Sequence, residues 1–180
     1  MAEIKTIEPE KLVAGFIYKE EESYRQAAAL VGGRFGEADF ESEPMDFTVT
    51  GYYNEEIGSP LFKRFVSYKQ LIMPDKLAEA KVFTNSIEDK LRGSNGKRRV
   101  NIDPGLLTMG KFILATAKNH QHRIYIGSGI WAEVALRYKE GGFTGWEWTY
   151  RDYLSPEYLF CFEKIREIYR LQIQPRGCPK

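Results

Sequence analysis

The chain has 180 residues, of which 43% are hydrophobic and 14% aromatic, and its formal net charge is +1. That composition excludes an intrinsically disordered chain and suits one core, read here as a single α+β domain over residues 1–173 with a flexible tail at 174–180. A near-neutral charge, without basic residues interleaved with aromatics across the domain, disfavours a general nucleic-acid binder.

The start carries no apolar run behind a basic region, which argues against a signal peptide. The most apolar stretch, 105–117, is interrupted by Lys111 and is too short to cross a bilayer. Cys161 and Cys178 have neither metal-ligand nor disulfide-framework spacing, so the expected compartment is a reducing cytoplasm, with no membrane partner. Charge is unevenly spread: residues 1–60 hold 13 acids against 5 bases, whereas residues 90–123 hold 8 bases and one acid, Asp103. Such asymmetry fits either an anion site or two segments that face each other.

Residues 12–18, LVAGFIY, form an apolar run suited to a central strand covered on both faces, with Gly15 marking close approach by another group. Tyr24, Ala28, Val31 and Phe35 then recur at helical spacing behind an acidic start, and glycines at 32, 33 and 36 end the helix. Residues 38–43 alternate as a strand with a solvated acidic face of Asp39, Glu41 and Glu43. A long loop at 45–60, placed to cover a cleft, precedes another strand at 61–68. Pro74 opens a helix whose stripe is Leu77, Ala80, Thr84, Ile87 and Leu91, with Thr84, Asn85 and Glu88 as a solvated polar patch. A strand over 97–103 completes the order βαββαβ, which predicts a ferredoxin-like opening.

Asp103-Pro104-Gly105 reads as a helix cap followed by proline in the first turn, and residues 106–117, apolar nearly all round, read as a buried helix. There Gly110 would permit close packing and Lys111 would reach the surface. Strands at 123–127 and 130–139 flank the turn Gly127-Ser128-Gly129, and 143–148 supplies a third, giving an antiparallel β-meander. Ser155 and Pro156 start a C-terminal helix with the stripe Tyr158, Phe162, Ile165 and Tyr169.

Alternation on the 97–103 strand puts Lys97, Arg99, Asn101 and Asp103 on one face. Arg99 suits bidentate recognition of phosphate or carboxylate, and Asn101 suits fixing an orientation. Lys118, His120, His122 and Arg123 crowd the following connection. The expected function is binding of a small anionic or phosphorylated ligand: Arg99 and Arg123 hold the anion, Asn101 and Lys118 orient it, and His122 with Glu133 carries any proton transfer. The sequence assigns no cofactor and leaves enzymatic activity open. An alternative is a metal-dependent hydrolase using His120, His122 and Glu133, with Asp103 as a further ligand. Another is an interaction protein that forms a homodimer through its tryptophan-rich meander. Trp146, Trp148, Tyr150 and Tyr153, with Asp152, also suit stacking on a planar ligand. No GxxxxGK[ST], GxGxxG after the first strand, HExxH or GxSxG occurs, which argues against a P-loop GTPase.

Taken together, TNSIEDK from Thr84, RRVNIDPGLLT from Arg98, ATAKNHQHRIYIGSGIWAEVALRY from Ala115 and WTYRDY from Trp148 resemble the bacterial domain-of-unknown-function 4416 family. The similarity runs from LVAGFIY to the terminal helix and implies neither an activity nor a catalytic residue.

Overall fold

A computed structural model of the chain describes residues 3–4 and 6–174. Strand β1 (Lys11–Tyr18) is buried over its whole length. Helix α1 (Glu21–Phe35) buries Tyr24, Ala27, Val31 and Phe35 and ends at Gly36, whose φ of 91° is one that glycine adopts without strain. Strands β2 (Ala38–Glu41), β3 (Met45–Asp46) and β4 (Phe62–Tyr68) follow, and a 3₁₀ turn at Pro74–Lys76 leads into helix α2 (Leu77–Lys90). The second half comprises β5 (Val100–Leu107), β6 (Lys111–Thr116), β7 (Ile124–Gly127), β8 (Ile130–Lys139), β9 (Gly142–Thr144) and helix α3 (Pro156–Ile173). The Ser155 hydroxyl caps α3 by accepting from the Tyr158 N–H, the role its position predicts.

Every strand pairing is antiparallel, in the order β2-β4-β1-β5-β6-β8-β7, with β3 beside β4 and β9 beside β8. Strand β4 separates β1 from β2, although α1 joins those two in sequence. Helices α1 and α2 pack on one face against Leu12, Ala14, Phe16, Val100 and Ile102. Helix α3 packs on the other against Val13, Phe65, Leu107, Phe112 and Leu114. With helices on an antiparallel sheet the molecule is α+β, and among the described residues no helix is long and apolar enough to cross a membrane.

The buried helix expected over 106–117 does not form. Those residues complete β5, turn at Thr108 to Gly110 and return as β6. Their apolarity on all sides reflects a hairpin covered by helices on both faces of the sheet, and an apolar run of that kind carries no period that separates strand from helix. Lys111 is exposed beside the turn. Close packing falls to Gly105 rather than Gly110: a Cβ on Gly105 would lie 2.4 Å from the Phe112 ring and 2.5 Å from the Ile113 carbonyl oxygen.

Smaller differences have local causes. The third meander strand stops at Thr144, because residues 146–149 form a turn closed by Thr149 N–H donating to the Trp146 carbonyl. Asp39 is not solvated, since it accepts hydrogen bonds from buried Lys11 and from the Ser67 hydroxyl. The expected loose tail lies, from residue 175 onward, outside the described residues.

Candidate functional site

The site begins where the sheet splits. Strand β5 runs beside β1 from residue 100 to 107, yet it pairs with β6 only from Gly105 to Leu107. Ile102, Pro104 and Leu106 turn their backbone groups toward β6. Proline at 104 therefore lacks an N–H where the ladder has already opened, which is where a strand tolerates it.

Ile102, left without a strand partner on that side, is served by side chains from α2. Its N–H donates to Glu88 Oε1 at 2.8 Å, and its carbonyl accepts from Lys81 Nζ at 2.7 Å and from the Thr84 hydroxyl at 3.4 Å. A buried backbone group left unpaired costs about 1–3 kcal/mol, so polar residues at these three positions follow from the fork itself. Thr84 and Glu88 are thus buried, not a solvated patch. Thr84 already belongs to the apolar stripe of α2, and Glu88 follows it by one turn, a signal present in the sequence.

From the fork a polar network runs along the floor of a cleft of about 1020 Å³. Lys63, Ile17 and Asn101 form one cross-strand row, and Phe65, Gly15 and Asp103 the next. A Cβ on Gly15 would lie 3.3 Å from the Phe65 ring, the close approach expected of that glycine. Lys81 donates to Asp103 at 3.0 Å, and Asn101 donates to Asp103 at 2.7 Å. Arg98 donates to Asn101 at 3.0 Å and to Glu88 at 2.8 Å, and grips Glu56 through two hydrogen bonds of 2.7 and 2.6 Å. Lys63 lies 2.7 Å from Asp152, with the rings of Phe47, Phe65, Tyr153 and Tyr158 around its ammonium at 4.3–5.5 Å.

Burial would raise the Asp103 carboxyl, but adjacent Lys81, with Lys63 and Asn101, brings it below its usual range. Glu88 moves the other way: burial raises it and the Asp103 charge adds to that, against the pull of Lys81, Ile102 N–H and Arg98. Glu56, hydrogen-bonded by Arg98, is lowered.

The sequence-derived candidates divide among three places. Asn101 and Lys118 line the cleft. Arg99 does not; it pairs with Glu20 at 2.7 Å, half exposed, because the basic strand and the acidic N-terminal third face each other here. Lys97 Nζ, which donates to the Glu55 carbonyl, and the Arg98–Glu56 pair repeat that arrangement. Arg123 and Glu133 form a buried pair behind the cleft wall, Nε to Oε2 2.6 Å, and His122 Nε2 meets the same oxygen at 3.0 Å. Arg123 also donates to the Lys118 carbonyl and to the Tyr150 hydroxyl, both at 2.8 Å, so it fixes the backbone of Lys118. Burial alone would lower the Arg123 guanidinium, and Glu133 carries it above its ordinary value.

His122 lies between His120 and Trp148 in a stack with interplanar angles of 12° and 11°. Of the proposed metal ligands only His122 and Glu133 meet, and the Glu133 oxygen they share is also held by Arg123, while Asp103 belongs to the floor network. Among the described residues no three of His, Cys, Asp and Glu are grouped to hold a metal ion. Sequence reasoning missed Lys63, Lys81 and Arg98, whose significance depends on pairing across separate elements.

Lysines and arginines deep in the cleft have carboxylate partners: Lys63 with Asp152, Lys81 with Asp103, Arg98 with Glu56 and Glu88. At the rim, Lys118 and Arg151 have none within 4.0 Å among the described residues, and Lys118 Nζ sits 3.9 Å over the Tyr52 ring. The cleft therefore presents a balanced polar floor, aromatic walls and two available cations at its mouth.

No curated protein and no solved structure matches the chain. The family model described as Domain of unknown function (DUF4416) matches residues 8–169, which include the fork, the floor network and both rim cations, and the chain belongs to that family.

Proposed function

We propose that the fork cleft binds a small anionic ligand, with Lys118 and Arg151 meeting its charge and the spare amide hydrogen of Asn101 orienting it. The supporting observation is that cations on the floor are matched by carboxylates while these two at the rim are not. Arg99 has no part in this reading, and Arg123 serves it by holding Lys118 in place. A reducing cytoplasm suits the buried free thiol of Cys161.

Thermal-shift titration with inorganic phosphate, sulfate and alkyl phosphates tests the reading, because a ligand that binds only the folded state raises the melting temperature with its concentration. Wild type and Arg99→Ala should respond alike, whereas Lys118→Ala and Arg151→Ala should respond weakly. An equal response from wild type and both rim variants would discard it.

Self-association is a second reading, favoured by β7. Its outer edge ends the sheet, and Ile124 and Tyr125 on it are 73% and 54% exposed. Light scattering that shows a monomer at high concentration would remove it.

A further inference from the structure

We infer that the ligand of this cleft carries a flat π-bonded ring joined to its anionic group. This rests on the anion-binding reading of the same cleft and adds the chemical class of the rest of the ligand. The carrying observation is a row of four nearly parallel rings, of which His120 and Trp148 line the cleft: His120, His122, Trp148 and Trp146, with successive centroids 5.9, 5.4 and 5.3 Å apart and interplanar angles of 12°, 11° and 4°.

The column is held by specific bonds. Glu133 fixes His122 at 3.0 Å, buried Arg123 fixes Glu133, and the Trp148 indole N–H donates to the Val134 carbonyl at 3.1 Å. One end is closed, with the Arg137 guanidinium 4.2 Å over the Trp146 ring. At the other end stands His120, exposed, lining the cleft and two residues from Lys118. His122 covers one side of its imidazole, and among the described residues no other ring stacks on it.

A ring placed against His120 would extend an existing row in which His122 and Trp148 are already held by hydrogen bonds, so ordering of those two opposes it little. Offset stacking favours such a ring over a saturated group of equal size. Lys118 lines the same cleft two residues away in sequence and is the cation that would meet an anion carried by that ring. The same column gives saturated anions no comparable advantage, which makes this a preference among anions.

The test is calorimetric titration of 2-naphthyl phosphate, butyl phosphate and inorganic phosphate into wild type, His120→Ala and Lys118→Ala. Wild type should bind naphthyl phosphate roughly tenfold more tightly than butyl phosphate, with quenching of tryptophan fluorescence. His120→Ala, a change at an exposed side chain, should lose that preference while keeping its affinity for butyl phosphate. Lys118→Ala should weaken all three probes. Equal binding of naphthyl and butyl phosphate by wild type, or a preference that survives in His120→Ala, overturns the inference and leaves the anion site standing. Absence of binding by all three probes overturns both.

Discussion

Ile102 has both backbone groups satisfied by side chains of a helix, and this makes Glu88 more demanding than a surface glutamate. It serves a backbone N–H and a guanidinium at once, and its carboxylate is buried. Glu88→Ala should destabilise the fold by about 3–5 kcal/mol, as removal of one member of a buried ionic group does. Urea unfolding should show a lower midpoint with an unchanged slope, and a shift under 1 kcal/mol, the scale of a surface ion pair, would show that Glu88 does not close the fork. Asp103 sets the acid side. Its folded carboxyl lies below the ordinary 3.8, so its contribution is present above that value and is lost as pH falls through the folded one. Glu88 has the opposite sign: its stabilisation is present below 4.5 and declines as pH rises toward its raised folded value. The stability gap between wild type and Asp103→Asn should therefore be widest near neutrality and close as pH drops below 3.8; a gap independent of pH would contradict the assigned ionisation. Helical spacing already aligned Thr84 and Glu88 with the buried stripe, but the demand for them was invisible, because it comes from a strand end that another strand leaves.

The hairpin of β5 and β6 is where local signals and tertiary packing disagree most. Asp-Pro-Gly followed by an apolar run has the signature of a capped helix, and only a sheet covered on both faces and forked at residue 104 turns the same letters into strands. The flanking elements were legible for the opposite reason: α1, α2 and α3 each bury one stripe, and β8 starts with buried Ile130 and Ala132 in alternation before buried Glu133 and a register shift opposite Phe112 and Ile113 break the pattern. Of the site, the sequence showed the cations but not their partners, so Arg99 looked available while Glu20, 79 positions away, already held it. Gly105 tests the hairpin directly. Its missing Cβ leaves room for the Phe112 ring and the Ile113 carbonyl, and a carbonyl within a paired strand cannot move aside cheaply. Gly105→Ala should cost about 1–3 kcal/mol through overpacking and backbone shift, whereas Gly110→Ala, with open space at its Cβ, should cost far less. Chemical denaturation of the two variants gives the comparison, and equal losses would place the constraint elsewhere.

Across the whole molecule, the sheet separates two cores, and buried tyrosines occur in both. Tyr24 and Tyr68 lie in the α1–α2 core, Tyr153 and Tyr158 in the α3 core, and Tyr53 packs beside a third cluster beneath the loop over the cleft. Burial raises all five phenols above their ordinary 10.0, with Glu41, Asp103 or Asp152 adding to the shift. A folded value above the unfolded one means that this stabilisation is complete below pH 10 and disappears as pH climbs, because the unfolded chain releases protons that the folded one keeps. Each tyrosine contributes a slope of about 1.4 kcal/mol per pH unit. Five together would remove about 7 kcal/mol over one unit, comparable with the entire stability of a domain of this size. Lys11 opposes them, since burial, outweighing its pairing with Asp39, lowers its ammonium and makes rising pH favourable at that one position. One group against five leaves the balance with the tyrosines. The protein should therefore unfold cooperatively between about pH 10 and 12, with tyrosinate absorbance and loss of far-ultraviolet circular dichroism following one curve. Tyrosinate that appeared well before the circular dichroism changed would mean that these hydroxyls reach solvent in the folded state, and the two-core packing would then be wrong at those positions.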